Sequence, residues 1–328
     1  PLEWYFDLTE EQSKFYDTVV SDYFAHPRDG GRFTGAIYTP FVYEKGLNLN
    51  EEEENIESIS SEDNRMLLSQ SNLFGFMRRL LVKRFESSFG AFRQSIENFI
   101  EVYNTCKDFI ERTNQFILDR DLIEKMQDFD PEDVERELLA YTEKLKSNIY
   151  PKNHRVYEVN EFSKRFEFLR DIESDISLFE EVLNRLEDLQ LTDKDPKVLC
   201  LIEKIKNVIS DPAQNDEPLR KVIVFSEYVD TVKYLEPILK ASFKNRVLTI
   251  AGNLNKGNIG QLYSNFDASS KDQYNDFDVL LTTDKLSEGF NLNRAGMVIN
   301  YDIPWNPVRV IQRLGRINRI SKKVFNNL

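Results

Sequence analysis

Residues 279–292 read VLLTTDKLSEGFNL, an apolar run that turns directly into a polar loop. Short, wholly apolar runs are typical of strands in a parallel sheet that helices cover on both faces. The runs KVIVF at 221–225, VLTI at 247–250 and MVINY at 297–301 have the same character, with helical patterns between them. Strands that alternate with helices predict an open α/β sheet, whose functional sites lie beyond the carboxyl ends of the strands.

Polar or flexible residues follow each predicted strand at the point where it ends. They are Ser226, Gly252, Thr283 with Asp284, and Asp302. Because the carboxyl ends of parallel strands meet at one edge of a sheet, we expect these residues to lie along one rim. Each polar side chain alone could instead cap the helix that begins there.

Three arginines recur at intervals of three near the end of the chain, Arg313, Arg316 and Arg319, with Gln312 and Asn318 interleaved. On a helix Arg316 and Arg319 share a face, so two guanidinium groups could approach one anionic ligand together. Such groups suit the charge that spreads over phosphoryl oxygens during transfer. The same spacing also occurs on solvated helix faces and at helix ends, so the pattern alone leaves both interpretations open.

Long helical patterns fill much of the first 210 residues. Apolar residues from Phe92 to Ile117 and from Phe162 to Leu186 recur at steps of four and three. This spacing predicts two long helices that pack against each other, most simply antiparallel, with a helix at 131–147 between them. The stripes predict a core rather than a cofactor site, and we find no catalytic constellation in this region.

A cluster of cations interrupts this helical region at Arg78, Arg79, Lys83 and Arg84. A basic helix could face a phosphate backbone. It could equally pair with the surrounding carboxylates, and the sequence favours neither interpretation.

The chain therefore divides into four predicted parts. Residues 1–65 form a connector, with a short helix capped by Thr9 and an acidic loop around Glu51–Glu54. Residues 66–210 form a helical insertion domain, and residues 211–220 form a polar linker with two prolines. Residues 221–328 form the α/β lobe.

Charge is distributed unevenly between these parts. The net charge is −13, yet residues 221–328 carry 15 Lys/Arg against 10 Asp/Glu, whereas residues 1–220 carry 28 against 46. The C-terminal part could therefore bind a polyanion, whereas the acidic part is not expected to do so. The competing interpretation is that acidic helices are often only solvated faces and that an excess of five positive charges is modest.

Composition excludes several other classes. Cys106 and Cys200 both lie in apolar helical patterns, which predicts buried, reduced thiols and a cytoplasmic setting. The two histidines, His26 and His154, have no partners at ligand spacing, so no metal site is predicted. No apolar run approaches the roughly 20 residues of a membrane span.

The C-terminal segments resemble motifs of superfamily 2 helicases and translocases of the Swi/Snf type, including their bacterial RapA-like relatives. VIVFSEY at 222–228 resembles motif IV, and LTT at 281–283 followed by GFNL at 289–292 is similar to motif V. YDIPWNP at 301–307 and Q-x-x-x-R-x-x-R-I at 312–320 resemble the family's YD-x-x-WNP segment and motif VI.

The sequence also departs from this family. Asp284, Lys285 and Glu288 stand where small residues are common in motif V, and Ser321-Lys322 replaces the usual Gly-Gln after motif VI. The Thr-Asp-x-x-x-Glu-Gly form is closer to bacterial branches.

The resemblance implies the second RecA-like lobe of an ATP-driven motor. Arg319 would be the arginine finger, with Arg316 beside it and Gln312 orienting the pair. The positions expected near the nucleotide are Gly289, Asn291 and Glu288. The positions expected on a nucleic-acid backbone are Ser226, Gly252, Thr282 and Thr283.

No G-x-x-x-x-G-K-[ST] loop occurs anywhere, nor an Asp-Glu pair placed after a strand as a magnesium site. ATP and Mg²⁺ would therefore be held mainly by an N-terminal RecA-like lobe outside this sequence. Since the chain also lacks an initiator methionine, we expect a piece of a longer protein that is inactive alone.

The main hypothesis is the C-terminal half of an ATP-dependent nucleic-acid translocase or helicase, with double-stranded DNA rather than RNA as its substrate. One alternative is an RNA helicase. The other is a non-catalytic interaction module, a motor lobe whose acidic helical domain binds a protein partner.

Overall fold

A computed structural model describes residues 2–47, 60–125, 131–211, 221–251, 256–287, 289–304 and 306–317. The chain forms two compact units, a helical unit of residues 8–193 and a sheet unit of residues 194–328 together with residues 1–7. The predicted fold class, an α/β lobe preceded by a mainly helical domain, is confirmed.

The helical unit contains seven described helices and two short strands. They are α1 (Glu10–Thr18), α2 (Pro40–Lys45), α3 (Ser61–Ser87), α4 (Phe89–Thr113), β1 (Gln115–Asp119), α5 (Arg120–Lys125), α6 (Pro131–Lys146), β2 (His154–Glu158) and α7 (Arg165–Asp188). The predicted cap of α1 is present, because the Thr9 hydroxyl accepts from the Gln12 amide and the Gln12 side chain accepts from the Thr9 amide.

The two predicted long helices, α4 and α7, pack antiparallel. Phe99 and Tyr103 of α4 contact Phe179 of α7, with ring centroids 5.8 and 5.3 Å apart. Further along α4, Lys107 pairs at 3.0 Å with Glu173, which comes earlier in α7. The order of partners reverses between the helices, as the prediction required.

The predicted extent of the first long helix was wrong. It ends at Thr113, because Asn114 takes a left-handed backbone with φ 57°, a common conformation for asparagine after the last helical turn. Ile117 instead lies in β1, paired with Val156 in the antiparallel strand β2.

Arg78, Lys83 and Arg84, three of the four cations at 78–84, have partners within the helical unit. Arg84 is fully buried and its Nε lies 2.9 Å from the Glu135 carboxylate, while Lys83 pairs with Glu86 at 2.9 Å. Arg78 donates to the Phe24 carbonyl. These contacts favour the structural interpretation over a phosphate-binding face.

The sheet unit contains four parallel strands in the order β4-β5-β3-β6 and four described helices. Its elements are α8 (Pro196–Ser210), β3 (Lys221–Ser226), α9 (Val229–Ser242), β4 (Val247–Ile250), α10 (Lys256–Phe266), β5 (Val279–Thr283), β6 (Ala295–Asn300) and α11 (Pro307–Ile317). All four predicted strands are present. β3 is central and wholly buried, as its apolar sequence predicts.

Cores lie on both faces of this sheet. Val222 and Val224 of β3 pack with α8 and α9, whereas Ile223 and Phe225 point to the opposite face and pack with α10. Because successive side chains of β3 point to opposite faces, this one strand packs against the helices on both faces of the sheet.

The predicted domain limits differ from the units of the structure. Helix α8 was assigned to the insertion domain, yet Val198 and Ile205 share a core with the strands of the sheet unit. Trp4, assigned to the connector, packs against the same core. Apolar residues at helical spacing show that one face of a helix is buried, but they do not show which core buries it.

The acidic run Glu51–Glu54 and the linker at 212–220 lie outside the described residues.

The two cysteines are free, and their environments differ. Cys106 is buried in the helical unit, and burial raises the pKa of its thiol to about 12. Cys200 is only half-buried, contrary to the prediction, and its Sγ lies 3.4 Å from the Tyr5 carbonyl.

The longest helices, α3 with 27 residues and α4 with 25, carry charged residues along their length. Within the described part of the chain, no helix combines the length and the apolar character needed to cross a membrane.

Candidate functional site

The carboxyl ends of the four parallel strands form the rim that the sequence predicted. Ser226 of β3 pairs in register with Thr283 of β5, and Thr282 pairs with Ile250 at the end of β4. On the other side of β3, Phe225 pairs with Asn300 at the end of β6. The sheet thus brings together residues from distant parts of the sequence.

Two predicted nucleic-acid residues on this rim have internal partners. Ser226 is fully buried, and its hydroxyl donates to the Asp302 carboxylate at 2.6 Å. Thr282 is also fully buried, and its hydroxyl donates to the Ile250 carbonyl at 2.7 Å. In this arrangement neither hydroxyl is available to an external phosphate, and both instead fix the strand ends.

Thr283 differs from these two residues. Its side chain is 4% exposed, and its Oγ1 has no hydrogen-bond partner within the described part of the chain. A buried hydroxyl normally finds a partner, so one at a rim is an available donor for a ligand. Thr283 is the predicted contact residue that the geometry favours most.

The motif V segment and helix α11 are joined by a backbone hydrogen bond. The Leu292 amide donates to the Arg316 carbonyl at 3.0 Å, which holds the last turn of the helix beside residues 289–292. Gly289 in this segment is exposed, with φ 86°, a conformation that other residues rarely adopt. Asn291, Gln312 and Arg316 are all half-buried. The structure therefore joins the backbone of Arg316 to the segment that contains Gly289 and Asn291, and the roles of these residues stay predictions.

Arg313 has a different environment from Arg316. It is fully buried, and its Nε and Nη2 donate to the two carboxylate oxygens of Asp284 at 2.6 and 2.9 Å. Its Nη1 donates to Asn300 at 2.8 Å, and its guanidinium lies 5.2 Å from the centre of the Phe225 ring. Arg313 therefore holds the end of three strands against α11.

A second arginine extends this arrangement. Arg309, one turn before Arg313 on α11, lies 3.6 Å from Asp284 and 3.7 Å from Glu227, which follows β3. These contacts of Arg313 and Arg309 were not predicted from the sequence. The sequence feature that could have indicated these contacts was Asp284. It is a carboxylate at a position where the family that motif V resembles commonly has a small residue.

Several predicted site residues lie outside the described part of the structure. They are Gly252, Glu288 and Arg319. Trp305, which the YD-x-x-WNP resemblance includes, is also outside it. Their assignments stay predictions.

With this geometry in place, comparison with known proteins identifies the class of the sheet unit. Residues 197–321 match the family described as helicase conserved C-terminal domain. The match over this part of the chain supports the predicted lobe at the level of a helicase C-terminal domain. The RapA-like branch stays a prediction.

Similar curated proteins carry related names. An uncharacterized ATP-dependent helicase, YqhH of Bacillus subtilis, is 30% identical over 142 residues, which is 43% of this chain and 22% of that protein. The ATP-dependent RNA helicase DBP6 of Candida glabrata is 32% identical over 33% of this chain and 18% of its own length. The SNF2 domain-containing protein CLASSY 3 of Arabidopsis thaliana is 31% identical over 38% of this chain and 10% of its own length.

The aligned regions thus span about a fifth or less of these relatives, at 22%, 18% and 10% of their lengths. What the relatives do as whole proteins is not established for this chain by the likeness.

Proposed function

We propose that this chain is the C-terminal half of an ATP-dependent translocase that moves along double-stranded DNA. It would supply phosphate-facing arginines and nucleic-acid backbone contacts, while an N-terminal RecA-like lobe of the same protein holds ATP and Mg²⁺. The observation that carries the proposal is the junction of α11 with the motif V segment, where the Leu292 amide donates to the Arg316 carbonyl at 3.0 Å and Gly289 is exposed.

This junction fits the phosphate end of a nucleotide. A guanidinium group supplies positive charge, and an exposed glycine lets an anion approach the backbone without meeting a side chain. A Cβ placed on Gly289 would meet nothing within 4 Å, so the space in front of it is open. Bound ATP would supply the transferred phosphoryl group. Gln312 and Arg316 would orient it, with Arg319 as the arginine finger.

The rim supports the nucleic-acid part of the proposal. The Thr283 hydroxyl is available to a phosphate oxygen, and such contacts hold a backbone without reading its sequence. Residues 221–328 carry the excess of Lys/Arg over Asp/Glu that a polyanion requires, 15 against 10.

Helix α11 also exposes an apolar face to solvent. Such a face suits contact with a partner lobe. Val308, Ile311 and Leu314 are 53%, 70% and 47% exposed, although the opposite side of the helix is held by Arg313. Large aliphatic side chains exposed together commonly mark a contact surface.

The test uses the full-length protein that contains this chain. Its ATP hydrolysis should be stimulated by duplex DNA more than by single strands or RNA. Arg319→Ala should lower turnover by a factor on the order of 10³ or more, and Arg316→Ala should also lower it strongly, because both remove charge that stabilises the transferring phosphoryl group. A matched control is Arg136→Ala, an arginine of the helical unit whose side chain is 67% exposed.

The outcomes separate the candidate functions. Near-wild-type turnover of Arg319→Ala would reject its role as the finger. Greater stimulation by RNA than by duplex DNA would favour the RNA helicase named among the alternatives. A full-length protein that binds nucleic acid but hydrolyses no ATP would favour the non-catalytic interaction module.

A further inference from the structure

The buried contact between Asp284 and Arg313 joins two parts of the candidate site that the sequence treats separately. Asp284 directly follows Thr283, the rim residue with an available hydroxyl. Arg313 lies one turn before Arg316 on α11. One ion pair therefore connects the rim with the helix that carries Arg316.

The geometry of this contact leaves α11 little freedom to rotate or slide. Both Asp284 oxygens accept from Arg313, at 2.6 and 2.9 Å, which is the two-point arrangement that fixes the plane of a guanidinium. Arg313 also donates to the Asn300 side chain at 2.8 Å and to the Asp302 carbonyl at 3.3 Å. The arginine is thus held by the ends of β5 and β6 together.

Asp302 extends the same connection to β3. Its carboxylate accepts from the Ser226 hydroxyl and the Glu227 amide, both at 2.6 Å. Arg309 adds contacts at 3.6 Å to Asp284 and 3.7 Å to Glu227. Every one of these groups lies at the rim or on the inner side of α11.

The position of Arg316 follows from these contacts. Residues three apart on a helix point in directions about 60° apart, so fixing Arg313 also fixes the direction of Arg316. The hydrogen bond from the Leu292 amide to the Arg316 carbonyl, 3.0 Å long, holds the same turn from the other side. A shift of Asp284 would therefore move Arg316 relative to residues 289–292.

We propose that Asp284 is a positioning residue for ATP hydrolysis, which orients α11 through Arg313 and links nucleic-acid contact at Thr283 to the placement of Arg316. This inference rests on the proposed function. Phosphoryl transfer depends on placement, and a misplacement of about 1 Å can cost on the order of 10²-fold in rate. Nucleic acid bound at Thr283 would fix the strand end from which Asp284 holds the helix.

The main test compares Asp284→Asn with wild type in the full-length protein, per correctly folded molecule. Asparagine keeps the size of the side chain but loses the charge and one acceptor. We expect kcat in the presence of duplex DNA to fall roughly 10- to 100-fold. The KM for ATP should change less, because ATP is held mainly by the other lobe. Asp284→Glu, which restores the charge, should recover part of the rate.

A double variant separates positioning from simple structural support. Asp284→Asn leaves a buried arginine without its carboxylate, which also destabilises the fold. Asp284→Asn combined with Arg313→Gln removes both charges and should recover much of the thermal stability. If Asp284 positions α11, the double variant regains stability but not kcat.

The matched control is Glu135→Gln in the helical unit, which also breaks a buried arginine–carboxylate pair. It should lower the melting temperature without lowering kcat per folded molecule. A double variant at positions 284 and 313 with wild-type kcat would overturn the inference while leaving the proposed function intact. A wild-type full-length protein that hydrolyses no ATP would overturn both.

Discussion

Two buried arginine–carboxylate pairs, one in each unit, have nearly the same chemistry and hold different structures together. Arg84 and Glu135 are 0% and 5% exposed at the side chain, with a 2.9 Å contact. Arg313 and Asp284 are 0% and 13% exposed, with a 2.6 Å contact. Both pairs thus combine a fully buried arginine with a carboxylate that is little exposed.

The difference lies in the elements that each pair connects. Glu135 on α6 also accepts from the Ser95 hydroxyl at 2.8 Å and the Asn98 amide at 3.3 Å, so the first pair joins α3, α4 and α6 in one core. The second pair joins strand ends to a helix that carries Arg316. The same interaction can thus serve stability alone or, as proposed for Asp284, also the placement of Arg316.

The largest effect on stability is expected for Arg84→Met. This change leaves Glu135 buried without its cation and should cost about 3–5 kcal/mol in the free energy of unfolding, measured by urea denaturation. The double variant Arg84→Met with Glu135→Leu, which removes both charges, should recover most of that loss. A double variant as unstable as the single one would mean that packing, rather than the unpaired charge, dominates.

A third buried carboxylate sharpens the comparison, because its described hydrogen bonds come from neutral groups. Asp175 of α7 is fully buried and accepts from the backbone amides of Thr34 and Gly35 at 2.8 and 2.9 Å. It also accepts from the hydroxyls of Thr34 and Tyr103, at 2.9 and 3.0 Å. Burial raises the pKa of this carboxyl to about 7, although the hydrogen bonds oppose that shift.

The raised pKa makes the stability contribution of Asp175 depend on pH. Between the ordinary pKa of 3.8 and about 7, the folded state binds this proton and the unfolded state does not. The contribution is therefore fully present below about pH 4 and is lost as the pH rises to about 7, with a total of at most about 4 kcal/mol.

Asp175→Asn should remove this dependence. Relative to wild type, the variant should be destabilised more at pH 4 than at pH 8, as measured by unfolding at both values. Asp17→Asn, at an exposed position of α1, is the control. A wild-type-minus-variant difference that stays constant or grows with pH would contradict the prediction.

The smallest effect is expected for an exposed pair. Arg93 and Glu97, one turn apart on α4, are 3.0 Å apart but 44% and 41% exposed. Arg93→Ala should change the free energy of unfolding by only about 0.3–0.5 kcal/mol, because water screens the charges. A loss above roughly 2 kcal/mol would show that burial does not set the scale of these contributions.

The sequence predicted the sheet well, because its strands contain short apolar runs, and β3 and β5 are buried along their whole length. The same reasoning could not locate β1. The four-and-three spacing of α4 continues into Ile117, and only the backbone of Asn114 ends the helix. Helix α8 was assigned to the helical domain for a related reason, because its apolar residues have a spacing that would suit packing against either core.

At the candidate site, the sequence predicted which residues reach the rim but not their orientation. Ser226 and Thr282 lie where expected, yet their hydroxyls turn inward to Asp302 and the Ile250 carbonyl. The spacing of the three arginines likewise does not reveal that Arg313 points into the core. These differences depend on partners distant in sequence, such as Asp284, which local patterns do not specify.

The strand order has a consequence for the synthesis of the chain. The central strand β3 at 221–226 has both of its neighbours later in the sequence, at 279–283 and 295–300. The helical unit, residues 8–193, is complete before any of these strands has been made. Since domains generally fold as units during synthesis, it can fold first. Residues 1–7, which belong to the sheet unit, are made before the helical unit and must therefore wait for partners made after it.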